Sequence, residues 1–262
     1  MKVVFYSNKG FVREHNEDAL FVAGNIISGC SMTAPVEIDT ESPDNCFVVI
    51  DGMGGYEGGE EAARIVATSF IENFRSWNIS ISAAKGKINS ILNNAIQKIA
   101  DVVNDKPELA TMGAALAGMA LCNDGILVFN CGDCRVYRQQ GQYLERLSHD
   151  HSVVQELFDK GEIEEDDMRT HVRKNIITAC VSTEVDNLNI FFREILRKGN
   201  ERFLVCSDGV WEAMPIDEIE ECLCKITLET ANNLAQKLLD LQEHCNDNIS
   251  FIIIENTNKP NN

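Results

Sequence analysis

Acidic side chains stand at the margins of apolar runs along this sequence, and their placement suggests a shared chemistry. Phe47-Val48-Val49-Ile50 runs into Asp51 and then into Gly52-Met53-Gly54-Gly55. Phe203 to Cys206 runs into Ser207-Asp208-Gly209, and Asn246-Asp247-Asn248 stands immediately before Ile249 to Ile254. Glu17-Asp18 leads into Ala19-Leu20-Phe21-Val22, while Asp133 occupies the turn Gly132-Asp133-Cys134-Arg135. Branched and aromatic residues suit a pleat covered on both faces, and the glycines after Asp51 let the backbone turn sharply and approach another group closely. Taken singly, each Asp-Gly is more simply a turn that ends a strand. Taken together, the acids could converge at one end of a sheet assembly, where each pair would repel by roughly 4 kcal/mol at about 4 Å and an intermediate dielectric. Asp51 and the Gly52 carbonyl are hard oxygen donors of the sort that hold Mg2+ or Mn2+, so bound divalent cations are the natural resolution.

Positioning these acids requires a chain that alternates strand blocks with helix pairs. Val3 to Phe5 reads as a first strand and Ala19 to Ala23 as a second; residues 28–45 read as a surface loop linking two strands of a hairpin. From Gly59 the apolar period becomes helical, with Ala62, Val66, Phe70, Phe74 and Trp77 on one face. A second helix is expected from about Lys87 to Val103, ending before Pro107. Met112-Gly113-Ala114-Ala115 opens a strand of small residues, Asn123-Asp124-Gly125 turns it into Ile126 to Cys131, and Val136-Tyr137 and Tyr143-Leu144 continue the meander. Residues 149–182 carry a short helix, an acidic stretch and His171-Val172-Arg173-Lys174-Asn175, which reads as a mobile flap over the site entrance. Strands at Ile190 to Ile195 and Phe203 to Cys206, a helix after Pro215 and another from Ala231 complete the pattern before the last strand.

The whole chain bounds the function further. Its 262 residues can bury a substantial core, and no Pro-rich, Ser-rich or like-charge run divides them. One domain is expected over residues 1–256, with a polar tail at 257–262. With 41 acidic against 23 basic residues the net charge is −18, which disfavours nucleic acid and anionic membrane surfaces as partners. No apolar stretch reaches a spanning length and Val3 to Tyr6 is too short for a signal segment, so a cytoplasmic protein is expected. The ten cysteines lie mostly in apolar runs, as reduced core thiols would.

In their order along the chain, Arg13-x-x-Asn16-Glu17-Asp18, Asp51-Gly52-Met53-Gly54-Gly55, Met112-Gly113, Gly132-Asp133-x-Arg135, Asp150-His151-Ser152, Ser207-Asp208-Gly209 and Asp247-Asn248 resemble the type 2C metal-dependent protein Ser/Thr phosphatases, particularly the bacterial members. The resemblance covers nearly the whole chain. It implies an α+β fold, a four-layer α-β-β-α sandwich with two central antiparallel sheets flanked by helix pairs. It also implies that Asp51 bridges two Mg2+ or Mn2+ ions, that Asp208 and Asp247 complete the ligands of one, and that Glu17 and the Gly52 carbonyl serve the other. Asp18 would hold water at the metals and Arg13 would clamp the phosphate. Asp133, with Asp208, matches the position that holds a weaker third ion in several members. The expected activity is hydrolysis of phosphoserine and phosphothreonine on proteins, the substrates of a cognate Ser/Thr kinase, by a monomer.

Departures from the family pattern keep two other functions in view. Met53 stands where many eukaryotic members have His, as in bacterial members. Ala114-Ala115 replaces a common Thr-Thr, Val172 a common Pro, and Ala179-Cys180-Val181-Ser182 a common Arg-Ala-Leu-Gly. A catalytically silent binding module of the same fold and a hydrolase of small phosphate esters are the alternatives.

Overall fold

The computed structural model describes residues 1–40, 45–54, 58–73, 78–184, 188–223, 227–241 and 246–256. In chain order the elements are β1 (Lys2–Asn8), β2 (Asp18–Val22), β3 (Asn25–Ser28), β4 (Val36–Asp39), β5 (Cys46–Met53), α1 (Gly58–Glu72), α2 (Ile81–Asp105), β6 (Gly113–Cys122), β7 (Gly125–Cys131), β8 (Arg135–Gln140), β9 (Tyr143–Arg146), α3 (Val153–Asp159), β10 (Val181–Ser182), β11 (Phe191–Ile195), β12 (Glu201–Cys206), α4 (Asp208–Trp211), α5 (Ile216–Leu223), α6 (Leu228–Asp240) and β13 (Ile249–Asn256). The strands form two antiparallel sheets, one ordered β4-β1-β13-β12-β8-β9 and the other β11-β7-β6-β5-β2-β3, with β10 paired to β6.

Strand alternation explains the layering. Along β5, Val48 and Ile50 face α1 and α2, where they pack with Phe70, Ile88 and Leu92, while Phe47 and Val49 face the second sheet and meet Val205 and Ile252. Every residue of β6 is buried, as expected of a strand covered on both faces. The second sheet repeats the arrangement: Leu204 and Phe251 turn outward to Trp211, Ile219, Leu234 and Leu238 of α4, α5 and α6. Three apolar cores therefore separate four layers in the order helix, sheet, sheet, helix, the architecture implied by the resemblance.

Three local expectations need correction. The 28–45 stretch is not only a loop: Val36-Glu37-Ile38-Asp39 pairs with β1, from Lys2↔Asp39 to Phe5↔Val36, as a short edge strand of the other sheet. Its two apolar residues give too weak an alternation to stand out, and edge pairing requires only one covered face. The chain after β7 does not continue one meander. At Gly132, whose φ of +105° favours glycine, it crosses between sheets, so β8 pairs with β12 and β9 instead of β7. The second helix starts at Ile81 rather than near Lys87, because Ser80 caps it by accepting from the Ala83 N–H at 3.3 Å. The Asn123-Asp124 hairpin forms as expected, with Cys122 opposite Gly125. Phe74, Trp77, Gly55, Cys224 and the 257–262 tail lie outside the described residues. Among the described residues no helix is long and apolar enough to cross a membrane.

Candidate metal centre

Both sheets deliver their acids to the same end. Asp18, opening β2, is the cross-strand partner of Asp51 near the end of β5. Gly52 follows, and a Cβ there would lie 2.0 Å from the Gly59 carbonyl oxygen and 2.6 Å from that of Glu17. Only glycine admits this approach of β5 to the start of α1, and it keeps Glu17 beside Asp51. On the other sheet, Ser207 ends β12 and Asp208 begins α4, while Asp247 precedes β13. A Cβ on Gly209 would be 1.9 Å from the Asn248 carbonyl oxygen, so the start of α4 and the residue leading into β13 press together at a second glycine. Asp133 sits on the crossing between β7 and β8, where its carbonyl accepts from Trp211 Nε1 at 3.0 Å.

Hydrogen bonds from the strand ends hold the acids in place. Asn248 Oδ1 accepts from the Glu17 N–H at 2.8 Å, and its amide donates to the carbonyls of Lys9 and His15, each at 3.0 Å. Ser207 Oγ donates to Asp18 Oδ2 at 3.0 Å. Arg13 spans the rim: Nη2 donates to Asp247 Oδ2 at 2.7 Å, Nε to the Asn246 carbonyl at 2.9 Å, and Nη1 lies 3.9 Å from Glu17. Behind Asp133, Arg135 is clamped to Asp150 at 2.7 and 2.8 Å and stacks 3.5 Å over the Trp211 ring.

Arg13, Glu17, Asp51, Gly52, Asp133, Asp208 and Asp247 all line one cavity of about 240 Å³. Asp18 is 2 % exposed and lies behind Asp51 instead. Asn175 and Ile177 also line the cavity; neither carries a chemical signal in the sequence, since only the folding back of residues 149–182 brings them there. A larger cavity, about 420 Å³, lies between β8, β9 and α5, but it is lined by Arg135, Arg146, Arg169 and Trp211 and holds none of the expected site acids.

Electrostatics mark the smaller cavity as a place for cations. Burial, reinforced by Asp208, Asp18 and Asp247, pushes Asp51 well above the usual carboxylate range; burial and then Asp247 do the same to Asp208. Burial raises Asp18 to about 7 against the restraining bonds from Ser250 and Ser207, and burial with Asp150 and Glu212 nearby raises Asp133 to about 7. Asp18 Oδ1 and Asp208 Oδ1 are buried with no hydrogen-bond partner. Carboxylates crowded this way are stable when protonated or when cations supply the missing positive charge. Among the described residues the acids ring the cavity and no three His, Cys, Asp or Glu side chains close on one point as a ready-made ligand set. The unpartnered oxygens and mutual repulsion fit divalent ions drawing that ring together.

This geometry coincides with an independent likeness in sequence. The sequence profile of the family Protein phosphatase 2C matches residues 36–244, and the chain belongs to that family. The serine/threonine phosphatase stp of Listeria monocytogenes serotype 4b (strain F2365) is 29 % identical over 267 residues, covering 97 % of this chain and 96 % of that protein. The crystal structure of the Mycobacterium tuberculosis serine/threonine phosphatase PstP/Ppp superposes with a TM-score of 0.79 at 23 % identity, covering 98 % of this chain and 100 % of that one. The catalytic domain of PstP in complex with two manganese ions gives a TM-score of 0.73 at 22 % identity, covering 97 % and 98 %.

Proposed function

We infer that this chain is a metal-dependent protein phosphatase that hydrolyses phosphoserine and phosphothreonine esters. The observation that carries the reading is the convergence of Glu17, Asp51, Asp133, Asp208 and Asp247 on one cavity with Arg13 at its rim. Family membership and the Ser/Thr phosphatase names of the relatives support a phosphoprotein substrate.

Asp51 would bridge two Mg2+ or Mn2+ ions, with Asp208 and Asp247 holding one and Glu17 and the Gly52 carbonyl the other; Asp133 and Asp208 would hold a weaker third. The two manganese ions in the PstP complex support the first pair. Such ions supply a water that ionises near neutral pH and positive charge for the phosphoryl oxygens. The chain's own groups do the rest. Asp18 Oδ1, buried without a partner behind Asp51, is an acceptor that can orient a water. Arg13 presents a guanidinium fork matched to two phosphate oxygens, and it is held at the rim by Asp247 until a phosphate competes for it. Met53 lines the cavity where a proton donor would stand and cannot donate, so the proton for the leaving serine or threonine oxygen comes from solvent. Buried free thiols support a reducing, cytoplasmic setting. A monomer serving a cognate kinase's substrates is the simplest assembly.

Phosphate release with Mn2+ from a panel of phosphopeptides and small aryl esters tests the reading. Turnover of phosphopeptides is expected. Rapid ester turnover with no peptide turnover would reassign the substrate class, and silence on both would leave a binding module.

A further inference from the structure

The segment that closes one wall of the acidic cavity is fastened to the helix that carries Asp208. Asn175 and Ile177 reach the cavity from residues 168–178, a stretch with little apolar anchorage apart from the buried Met168; Val172 is 96 % exposed. At its far end the stretch is tied by backbone bonds alone, Val153 N–H to the Ile176 carbonyl at 2.9 Å and Thr178 N–H to the His151 carbonyl at 2.7 Å. At the near end two cations converge on one residue. Lys174 Nζ pairs with the Glu212 carboxylate, and Arg169 Nη1 donates to the Glu212 carbonyl at 3.4 Å. Glu212 is 8 % exposed and stands one helical turn beyond Asp208, its N–H bonded to the Asp208 carbonyl at 2.8 Å. Its other carboxylate oxygen, Oε1, is buried without a partner. Lys174 therefore supplies the counter-charge to a carboxylate that burial has stripped of water, and such a pair is held tightly because releasing it strands a buried charge.

We propose that Lys174 and Glu212 form a latch that positions Asn175 and Ile177 in the cavity wall and thereby governs the fit of protein substrates, resting on the phosphatase reading above. Neither residue touches the reacting atoms in this role; both are positioning residues. A small aryl phosphate needs only the acids and Arg13, whereas a phosphopeptide must also lie against the mouth that the latch fixes in place. Release of the latch should thus raise the peptide KM and leave small-ester turnover nearly intact.

Lys174→Met, Glu212→Gln, the double variant and Lys174→Arg separate this from a purely structural role. With Mn2+, each of the first two should raise the phosphopeptide KM about tenfold while changing aryl phosphate kcat less than about twofold. The double variant should be no worse than the poorer single, because both remove one interaction. Lys174→Arg keeps the pair and should restore the peptide KM. Amides of residues 173–178 should exchange hydrogen faster in the first three variants and not in Lys174→Arg. Equal losses on both substrates, multiplicative effects in the double variant, or unchanged exchange would each overturn the latch. If the wild-type chain turns over neither substrate, the phosphatase reading falls, and hydrogen exchange still decides whether the latch exists.

Discussion

At the scale of single residues, the acids that serve a cation work against the fold without it. Asp51→Asn and Asp208→Asn should abolish Mn2+-dependent turnover, since each removes a charged ligand. Measured by melting in chelator near neutral pH, the same variants should gain on the order of 1 kcal/mol, as relief of a strained functional site commonly gives. A loss of stability would contradict the repulsion described for these carboxylates. A pH dependence follows from Asp18 and Asp133, which keep their protons to about 7 in the folded chain against 3.8 ordinarily. The folded state then binds more protons than the unfolded state between those values. Their contribution is fully present below about pH 4 and is lost as pH rises through about 7. Melting of the chelated protein should fall across that window relative to the double variant Asp18→Asn/Asp133→Asn, which lacks both groups, and added Mn2+ should erase the difference. For Arg13→Ala, weaker phosphopeptide binding is expected with no rise in the Mn2+ requirement, because the Arg13 bond to Asp247 Oδ2 no longer competes with an ion for that oxygen. A greater loss of metal binding than of substrate binding would contradict the clamp. The role of Arg13 came only from the family resemblance, whereas the acids were legible in the sequence because each stands at the margin of an apolar run or in a turn between two. Asn175, Ile177 and Glu212 were not, because their roles arise from contacts between segments distant in the chain.

At the scale of elements, the site depends on how closely strand ends approach helix starts. Gly52→Ala would place a Cβ 2.0 Å from the Gly59 carbonyl and must push β5 away from α1. Metal affinity should suffer as well as stability, both read from Mn2+ titrations monitored by melting; a variant that binds Mn2+ normally would show that this approach is not what aligns Asp51 and Glu17. Farther from the site, Phe70 of α1 lies with its ring centroid 5.6 Å from that of Phe21 and 6.2 Å from that of Phe129. Phe70→Ala should cost about 3–5 kcal/mol in denaturant melts, as for other large-to-small changes in a packed core. Long, periodic elements such as α1, β5 and β13 were readable from pattern alone. The edge strand β4 was not, since two apolar residues in four cannot announce a strand that pairs on one side. Nor was the crossing at Gly132, because periodicity reports that a segment is a strand and not which sheet receives it.

At the scale of the molecule, the sheet of β2 and β5 supplies Glu17, Asp18 and Asp51, and the other sheet supplies Asp208 and Asp247. Ions bound between them join two layers that otherwise meet through apolar side chains. Mn2+ at about 100 times its dissociation constant should therefore add roughly 2.7 kcal/mol to stability if the unfolded chain binds none, and a melting temperature indifferent to Mn2+ would count against the centre. The pairing of β1 with β13 has a different consequence, in the time domain of synthesis. Lys2 to Asn8 lie opposite Ile249 to Glu255, and β13 sits between β1 and β12 in the middle of its sheet. At translation speeds of roughly 5–20 residues per second, the first strand emerges on the order of 10–50 s before its neighbour exists. Asp247 arrives with that same late strand. A nascent chain of this protein thus stays without a finished acid ring until β13 has been made, and enzymatic competence coincides with the closing of the sheet.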